Sequence, residues 1–251
     1  MNSVCMATYN GELFVKSQIF SILKQLNPDD ELVISDDSST DMTIARIKEI
    51  SDSRIKLLEN NLFRDPIRNF EHAISNAKGI YIFLSDQDDI WLDSKYKEML
   101  LLLKDYSLIV SDSIIVDEDL NILYPSFFKY FNSGKGLIKN MIRSSYYGSC
   151  MAFHSELLRY ALPFPDTKEI GHDLWLGLVA ELTGKVYFAN KQLILYRRHA
   201  NAFTPESIGK STRSGLQKLK GRLVMVREIV KVIYKIYFNG KRSRFNHHAR
   251  I

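Results

Sequence analysis

The amino-acid sequence predicts an α/β fold in which a mostly parallel sheet is continuous with an α+β second half. Over residues 1–112, short apolar runs alternate with segments of helical spacing, a pattern typical of right-handed crossover units around a parallel sheet. After residue 112 the alternation loosens, and no Pro-, Gly- or Ser-rich linker separates the halves. We therefore expect one domain over 1–209, with halves 1–112 and 113–209, and a basic helical tail over 210–251.

Apolar spacing and turn residues justify the elements in chain order. The apolar run Ser3–Thr8 predicts the first strand, and Glu12–Leu26, with apolar residues at close to helical spacing, predicts the first helix. Ser39 or Thr40 is expected to cap the second helix, which runs to about Ile50. The same criteria predict strands at Glu31–Ser35, Arg54–Leu58, Ile80–Leu84, Leu108–Val110, Val186–Ala189 and Gln192–Tyr196, and helices at Asn69–Ala77, Asp93–Leu103 and Asp173–Leu182.

Charge is distributed unevenly along the chain. The 34 Lys and Arg residues exceed the 29 Asp and Glu residues, which gives a net charge of +5. Residues 210–251 hold 12 of the basic residues and one acidic residue, Glu228, so the rest of the chain is net negative. A nucleic-acid-binding protein would carry its basic residues on the folded body. We therefore expect no nucleic-acid partner.

Cysteine content and hydropathy indicate the compartment. The two cysteines, Cys5 and Cys150, are too few for a disulfide framework and lie in no CxxC pair, which favours a reducing environment. No apolar run reaches the roughly 18 to 20 residues that a membrane span needs. We therefore expect a cytoplasmic protein.

Acidic residues gather where two of the predicted strands end. Asp36 and Asp37 follow the second strand, and Asp86, Asp88 and Asp89 follow the fourth. Ligands of open parallel sheets bind at the carboxyl ends of the strands, and carboxylates crowded there repel one another unless a cation offsets them. A hard divalent cation that also binds ligand phosphates is the natural counter-ion. The alternative is a set of solvated loop acids that cap the following helices.

Three segments together resemble a known family. Met6–Gly11 (MATYNG), Ile34–Asp41 (ISDDSSTD) and Phe83–Trp91 (FLSDQDDIW) are similar to motifs of glycosyltransferase family 2, which has the GT-A fold, and the third resembles its rhamnosyltransferase subset. The resemblance covers about residues 1–205. It implies an inverting, metal-dependent transferase that moves a sugar, with rhamnose among the candidates, from a UDP- or dTDP-sugar to a hydroxyl group. The implied acceptor is a lipid-linked glycan or oligosaccharide of O-antigen or capsule polysaccharide biosynthesis.

The resemblance also implies roles for residues of the first half. Asp37 would accept the imide N–H of a uracil or thymine base. Asp86-Gln87-Asp88 would be the DxD motif, in which Asp88 binds Mg2+ or Mn2+ and Asp86 holds the ribose or the water shell of the metal. His199, which follows Arg197-Arg198, would contact the metal or a phosphate. The other residues expected at the nucleotide pocket are Thr8, Tyr9, Glu12, Arg64 and Asn69.

The second half would supply the general base and the acceptor site. The segment Gly171–Trp175 (GHDLW) resembles a family element in which the Asp, here Asp173, is the general base. An inverting transfer needs one carboxylate to take the proton of the acceptor hydroxyl. The alternative is that Asp173 is a helix N-cap. Gly148, Ser149, His172 and Trp175 would form the acceptor site, with His172 either orienting Asp173 or packing.

The basic tail has two apolar faces. Met225, Ile229, Val232 and Ile236 form one face. The other is a stripe with members three or four positions apart, namely Leu216, Leu219, Leu223, Val226, Val230, Ile233 and Tyr237. A basic helix with this much apolar surface suits an anionic membrane interface, so we expect peripheral association with the inner face of a bacterial cell membrane. Packing on the body or on another subunit is the alternative.

Two other classes of function share parts of this pattern. A non-catalytic module that binds a nucleotide or a sugar would carry the same motifs. A receiver-like regulatory domain also gathers acids at strand ends, but it would need a phosphoacceptor Asp after its third strand and would leave the second half of the chain unexplained.

Overall fold

A computed structural model describes residues 1–199 and 213–248, with only the backbone described for residues 239–248. The predicted junction between domain and tail, at 209 and 210, falls in the stretch 200–212 and so lies outside the described residues.

Strands and helices alternate along the first half, as the sequence predicts. The strands are β1 (Ser3–Thr8), β2 (Glu31–Asp36), β3 (Ile55–Leu58), β4 (Tyr81–Ser85), β5 (Ile90–Trp91), β6 (Leu108–Val116), β7 (Ile122–Tyr124), β8 (Met151–His154) and β9 (Val186–Arg197). The helices are α1 (Val15–Leu23), α2 (Thr43–Lys48), α3 (Pro66–Ser75), α4 (Lys95–Leu102), α5 (Phe127–Phe131), α6 (Leu137–Ile142), α7 (Leu158–Ala161), α8 (His172–Thr183) and α9 (Gly215–His248).

One sheet joins the two halves in the order β3-β2-β1-β4-β8-β6-β9-β5, with β7 paired to β6. The strands β1 to β4 are parallel neighbours. β8 runs antiparallel between β4 and β6, and β6 pairs with β9 in parallel. The α/β prediction and the continuity of the two halves are therefore confirmed.

The start of α2 differs from the prediction. Ser39 does not cap the helix, because its hydroxyl donates to Asp36. The helix begins later, at Thr43, whose backbone N–H donates to the Asp41 carboxylate (3.0 Å). The backbone N–H of Met42 is satisfied by Glu12, from the loop after β1 (2.8 Å). A carboxylate 30 positions away in the chain thus takes the place of the predicted local cap.

β6 extends six residues beyond its predicted end because its polar middle is buried rather than exposed. The Asp112 carboxylate accepts hydrogen bonds from the Ser126 hydroxyl (2.6 Å), the Phe128 backbone N–H (2.9 Å) and the Gln192 side chain (2.9 Å). A buried carboxylate with this many donors is tolerated within a sheet. It ties β6 to α5 and to β9.

The two apolar faces of α9 have different environments. Met225, Ile229 and Val232 are buried, and α9 contacts α6, α7 and α8. The stripe from Leu216 to Tyr237 is exposed instead, with Leu216 81% and Leu223 62% accessible. The predicted helix is therefore confirmed, and one of its faces packs on the body. No helix within the described residues is both long and apolar enough to cross a bilayer.

Candidate active site

Three loops meet at the carboxyl edge of the parallel strands. β1 lies between β2 and β4, with Thr8 opposite Asp36 and Met6 opposite Ser85. The chain segments that follow these strands therefore lie side by side, as the sequence predicts for the acidic residues. We call Asp86–Asp89, which follows β4, the acidic loop.

Thr8 and Asn69 support this edge from within the protein. The Thr8 hydroxyl donates to the fully buried Asp36 carboxylate (2.7 Å), and the Asn69 amide donates to the Thr8 carbonyl (3.1 Å). Both side chains are almost inaccessible, at 1% and 2%. They shape the pocket without facing it, which corrects the expectation that they line it.

Asp37 fixes the loop that follows β3. Its two carboxylate oxygens accept the backbone N–H groups of Phe63 (2.7 Å) and Asp65 (3.1 Å). Arg64 lies between them on the surface with φ +50°, a left-handed conformation that glycine adopts most easily. A carboxylate has about four acceptor sites, so Asp37 keeps the capacity to accept a ligand N–H.

Gln87 couples the acidic loop to the loop after β1. Its side-chain amide accepts the Tyr9 N–H (2.9 Å) and donates to the Tyr9 carbonyl (3.0 Å). A Cβ atom at Gly11 would lie 2.3 Å from the Gln87 Oε1, which accounts for a glycine at that position. The Tyr9 side chain is left 55% exposed at the rim of the site. Glu12 is also expected in the pocket, and one of its carboxylate oxygens accepts the Met42 N–H at the start of α2.

Carboxylates are crowded at the acidic loop. Burial and the neighbouring charges of Asp89, Asp88 and Asp173 raise the pKa of Asp86 well above its usual range. Burial and Asp88 raise the pKa of Asp89 to about 7. The Asp89 Oδ1 accepts the Arg197 N–H (2.9 Å), whereas its buried Oδ2 has no hydrogen-bond partner among the described residues. These shifts arise because the carboxylates are buried and lie close to one another.

The segment that follows β9 places His199 beside Asp88. The His199 Nε2 lies 2.9 Å from the Asp88 Oδ2, and the imidazole packs against Phe14 with ring centroids 4.8 Å apart. Arg197 is committed to the protein, because its Nε donates to the Asp88 carbonyl (2.7 Å) and its guanidinium lies 4.5 Å from the Phe14 ring centroid. The Arg197 guanidinium therefore supports the acidic loop from within the protein.

The acidic loop offers an incomplete set of metal ligands. Among the side chains described for residues 1–199 and 213–238, no three of His, Cys, Asp or Glu are grouped as a metal site. The Asp88 carboxylate and the His199 imidazole supply two donors side by side. Divalent cations such as Mg2+ are often held by one or two protein groups together with substrate phosphates. The residues present therefore fit a cation that a bound ligand helps to hold.

Asp173 lies in the first turn of α8. Gly171 is the N-cap of the helix, so the N-cap alternative for Asp173 is wrong. Its Oδ1 accepts the Leu174 N–H (2.7 Å), and its charge is felt at Asp86 and at Tyr147. A carboxylate at a helix N-terminus is stabilised by the helix dipole. Asp86, Asp88, His199 and Asp173 are thus brought to one region by β4, β9 and α8.

His172 and the Gly148–Ser149 segment pack beneath Asp173. The His172 ring stacks on Phe70, with centroids 4.0 Å apart, and burial lowers its pKa. A Cβ atom at Gly148 would lie 2.7 Å from the His172 Nε2, and Ser149 is fully buried. The structure therefore gives His172 a packing position, and the Gly148–Ser149 segment forms the base of the site.

Trp175 belongs to the core. It is 4% exposed, and its indole N–H donates to the Ala161 carbonyl (2.8 Å). A side chain held in this way anchors α8 against α7 and does not meet a ligand. The expectation that Trp175 contacts an acceptor is corrected accordingly.

Sequence reasoning missed Lys95, which is completely buried. Its ammonium donates to the Ser149 carbonyl (2.6 Å), so it connects α4 to the base of the site. The signal was helical spacing, since Lys95 shares a face with Met99, four positions on. The Tyr9–Gln87 link had no local signal, because it joins residues 78 positions apart.

Curated proteins similar to this chain are bacterial glycosyltransferases. The Escherichia coli UDP-Glc:alpha-D-GlcNAc-diphosphoundecaprenol beta-1,3-glucosyltransferase WfgD is 35% identical over 122 residues, which is 45% of this chain and 48% of that protein. The Shigella flexneri dTDP-rhamnosyl transferase RfbG is 40% identical over 99 residues, or 37% of this chain and 34% of that protein. The chain spans about half the length of these relatives or less.

Solved structures share the fold at low identity. S. aureus TarS in complex with UDP-GlcNAc gives a TM-score of 0.64 at 17% identity, covering 90% of this chain and 65% of that one. The Pyrobaculum calidifontis mannosyltransferase PcManGT, in complex with GDP-Man and Mn2+, gives 0.60 at 16% identity, covering 80% and 58%. At these identities the likeness shows the fold alone, and that fold is GT-A.

The family model described as glycosyl transferase family 2 matches residues 3–161. This span runs from β1 through α7 and includes the acidic loop and the Gly148–Ser149 segment. The chain therefore belongs to glycosyltransferase family 2.

Proposed function

We propose that the chain transfers a sugar from a nucleoside diphosphate to a hydroxyl group, with inversion at the anomeric carbon. The observation that supports this most is the convergence of Asp88 and His199, 2.9 Å apart, with Asp86 and Asp173 at the carboxyl edge of the parallel strands. Such a transfer requires side chains that bind a metal ion and a separate carboxylate that takes the proton of the acceptor hydroxyl.

The nucleotide would lie between the loops that follow β1 and β3. Tyr9 offers an exposed ring at the rim, and Asp37 is held between the Phe63 and Asp65 amides with room to accept a base N–H. Arg64 is exposed on the same loop, where its guanidinium can reach a ligand phosphate. Asp86 would face the ribose.

The Gln87 link to Tyr9 yields a test of this donor site. Gln87→Ala removes two hydrogen bonds, each worth about 1 kcal/mol, so we expect KM for the donor to rise about tenfold with a smaller change in kcat. Gln25 makes comparable amide bonds to Ser21 and Leu92 elsewhere, and Gln25→Ala is the matched control that should leave KM unchanged. Equal KM values for the two variants would count against a donor site beside Tyr9.

Asp88 and His199 would hold Mg2+ or Mn2+ together with diphosphate oxygens. When bound, such an ion offsets the negative charge that grows on the departing nucleoside diphosphate. Arg197 holds the Asp88 carbonyl, and Phe14 supports the His199 ring, so both protein donors are fixed before a ligand arrives. Pre-positioned groups stabilise developing charge without reorganising during the reaction.

Asp173 would act as the general base. A carboxylate in hydrogen-bond reach of the acceptor hydroxyl takes its proton as the oxygen attacks the anomeric carbon. The Leu174 N–H bond orients one oxygen of Asp173 and leaves the other for the acceptor. The acceptor would rest over the Gly148–Ser149 segment, beside His172.

A lipid-linked glycan is the acceptor that the relatives support best. The name of WfgD specifies a diphosphoundecaprenol acceptor and a UDP-Glc donor, whereas that of RfbG specifies dTDP-rhamnosyl transfer. These names support surface polysaccharide synthesis for this chain, with either a UDP- or a dTDP-sugar as donor.

The exposed stripe of α9 supports peripheral attachment to an anionic membrane. Leu219, Leu223 and Val226 are exposed on this stripe, and Lys220 and Arg227 are exposed beside it. Apolar side chains flanked by cations bind an anionic interface through burial and charge together. Attachment there would bring the site close to an acceptor carried by the lipid.

Vesicle binding tests this attachment. The full chain is expected to co-sediment with vesicles rich in phosphatidylglycerol and not with pure phosphatidylcholine, and L219Q/L223Q/V226Q is expected to lower binding at least about tenfold. I122Q/L123Q changes exposed apolar residues on β7 and serves as control. Equal vesicle binding by the stripe variant and the parent would contradict membrane attachment. A parent chain that binds no vesicles but forms a dimer, with the stripe variant monomeric, would contradict it as well.

The activity itself is tested by nucleoside diphosphate release over a panel of UDP- and dTDP-sugars, with and without Mn2+. We expect release from one donor, stimulated by Mn2+ and by a polyprenyl-diphosphate sugar. A thermal shift with UDP or dTDP but no turnover of any donor would favour the non-catalytic binding module. The family match excludes the receiver-like alternative.

A further inference from the structure

A lysine lies fully buried beneath the acidic loop. Lys95 is the first residue of α4 and is 0% exposed. Lysine is almost never completely buried unless its charge is matched. Packing alone therefore does not explain why Lys95 lies in the core.

The Lys95 ammonium has three kinds of neighbour. It donates to the Ser149 carbonyl (2.6 Å) and lies 4.6 Å from the centroid of the Trp91 ring. Among the groups that act on its charge are the carboxylates of Asp89 and Asp86. Burial, the largest effect, lowers the pKa of Lys95 to about 8, and the neighbouring carboxylates act in the opposite direction.

Ser149 extends this connection to the base of the site. Gly148, the preceding residue, lies against His172, and His172 is followed by Asp173. Lys95 also acts electrostatically on Asp86 and Asp89 of the acidic loop, and its ammonium lies over Trp91, two positions after that loop. One side chain therefore lies between the two parts of the site, the loop that carries Asp88 and the segment beneath Asp173.

We propose that Lys95 is a positioning residue for the transfer reaction, a permanent internal cation that holds the Gly148–Ser149 segment at a fixed distance from the acidic loop. The inference rests on the proposed function. A nucleotide and its cation leave the site in every catalytic cycle, whereas Lys95 stays. It keeps the carboxylates of Asp86 and Asp89 in place during the interval when no ligand balances them.

Removal of the charge at constant volume is the first test. Lys95→Met fills the same space without the ammonium. We expect kcat to fall about 100-fold, the loss that a displacement of about 1 Å can cause. KM for the donor should change less, because Tyr9 is held by Gln87 and Asp37 by the Phe63 and Asp65 amides rather than by Lys95. Lys97→Met, on the exposed face of α4, is the control that should behave as the parent.

A second variant separates charge from packing. In Lys95→Met the Asp89 carboxylate loses its internal cation, so Tm should fall. Adding Asp89→Asn removes the unmatched charge, and K95M/D89N should regain most of the lost Tm. A lysine that acts through packing alone would give no such recovery. If Lys95→Met does not fold, recovery of a folded protein in K95M/D89N carries the same test.

Two results would overturn the proposal. One is a Lys95→Met enzyme with parental kcat and Tm. The other is a double variant no more stable than Lys95→Met. The Tm measurements stand even if the parent turns over no donor, so failure of the proposed function and failure of this inference are distinguishable.

Discussion

Asp88→Asn is expected to lower kcat about 1000-fold, the upper part of the range seen when one group that stabilises transition-state charge is removed. The Asn side chain can still hydrogen-bond with the His199 Nε2, which lies 2.9 Å from the carboxylate in the parent, so Tm should change little. The loss would therefore report on charge rather than on folding. The measurement is nucleoside diphosphate release over a range of Mn2+ concentrations.

Asp93 provides the matched control for Asp88. It lies four residues after the acidic loop, its side chain is 88% exposed, and it pairs with Lys24 on the surface. Surface ion pairs contribute little, so Asp93→Asn should keep parental kcat. An Asp88→Asn enzyme with more than a tenth of parental kcat at every Mn2+ concentration would rule out the metal-binding role.

Asp173→Asn is expected to lower kcat about 1000-fold, within the range typical of a lost general base. The donor does not need this carboxylate for binding, so the thermal shift produced by the nucleoside diphosphate should be the same as in the parent. Asn can still accept the Leu174 N–H, which preserves the first turn of α8. The measurements are steady-state kinetics with a saturating donor and a separate thermal-shift titration.

Asp166→Asn is the control for this second variant. The Asp166 side chain is 99% exposed and pairs with Arg68. Asp166 lies in the same part of the chain as Asp173 but outside the site. It should leave kcat unchanged. Retention of parental kcat in Asp173→Asn, or a large loss of nucleotide binding in it, would assign the base to another residue.

The strand ends were predictable because the signal for them is local. The apolar runs of β1, β2 and β4 each end in polar residues, and parallel pairing then brings Thr8, Asp36 and Ser85 to one edge. The expectation that His199 contacts a metal or a phosphate came instead from resemblance to the family motif, and the structure places its ring beside Asp88. Spacing alone could not show how many hydrogen-bond donors of the protein each carboxylate or amide side chain already binds.

Long-range hydrogen bonds account for most of the differences. Glu12 replaces the predicted cap of α2 from 30 positions away, and Asp112 is satisfied by groups from α5 and β9. Trp175 carries an aromatic signature that suits a sugar site equally well, and only its bond to Ala161 places it in the core. Such pairings depend on the assembled sheet, which no local pattern encodes.

The tail shows where a pattern was right but ambiguous. Two apolar faces on one helix fit both packing and membrane attachment, and spacing cannot decide which face does which. The structure places Met225, Ile229 and Val232 against the body and leaves the stripe containing Leu223 in the open. Both alternatives thus remain relevant, each for a different face.

The separation between the acidic loop and its partners has a consequence during synthesis. Arg197 follows Asp89 by 108 positions, and His199 follows Asp88 by 111. At about 5 to 20 residues per second, a nascent chain carries the loop without these partners for roughly 5 to 20 seconds. β4 also waits for its neighbour β8. Negative charge beside an open strand edge discourages pairing with another chain, so the carboxylates that crowd the finished site would protect the half-made sheet from aggregation.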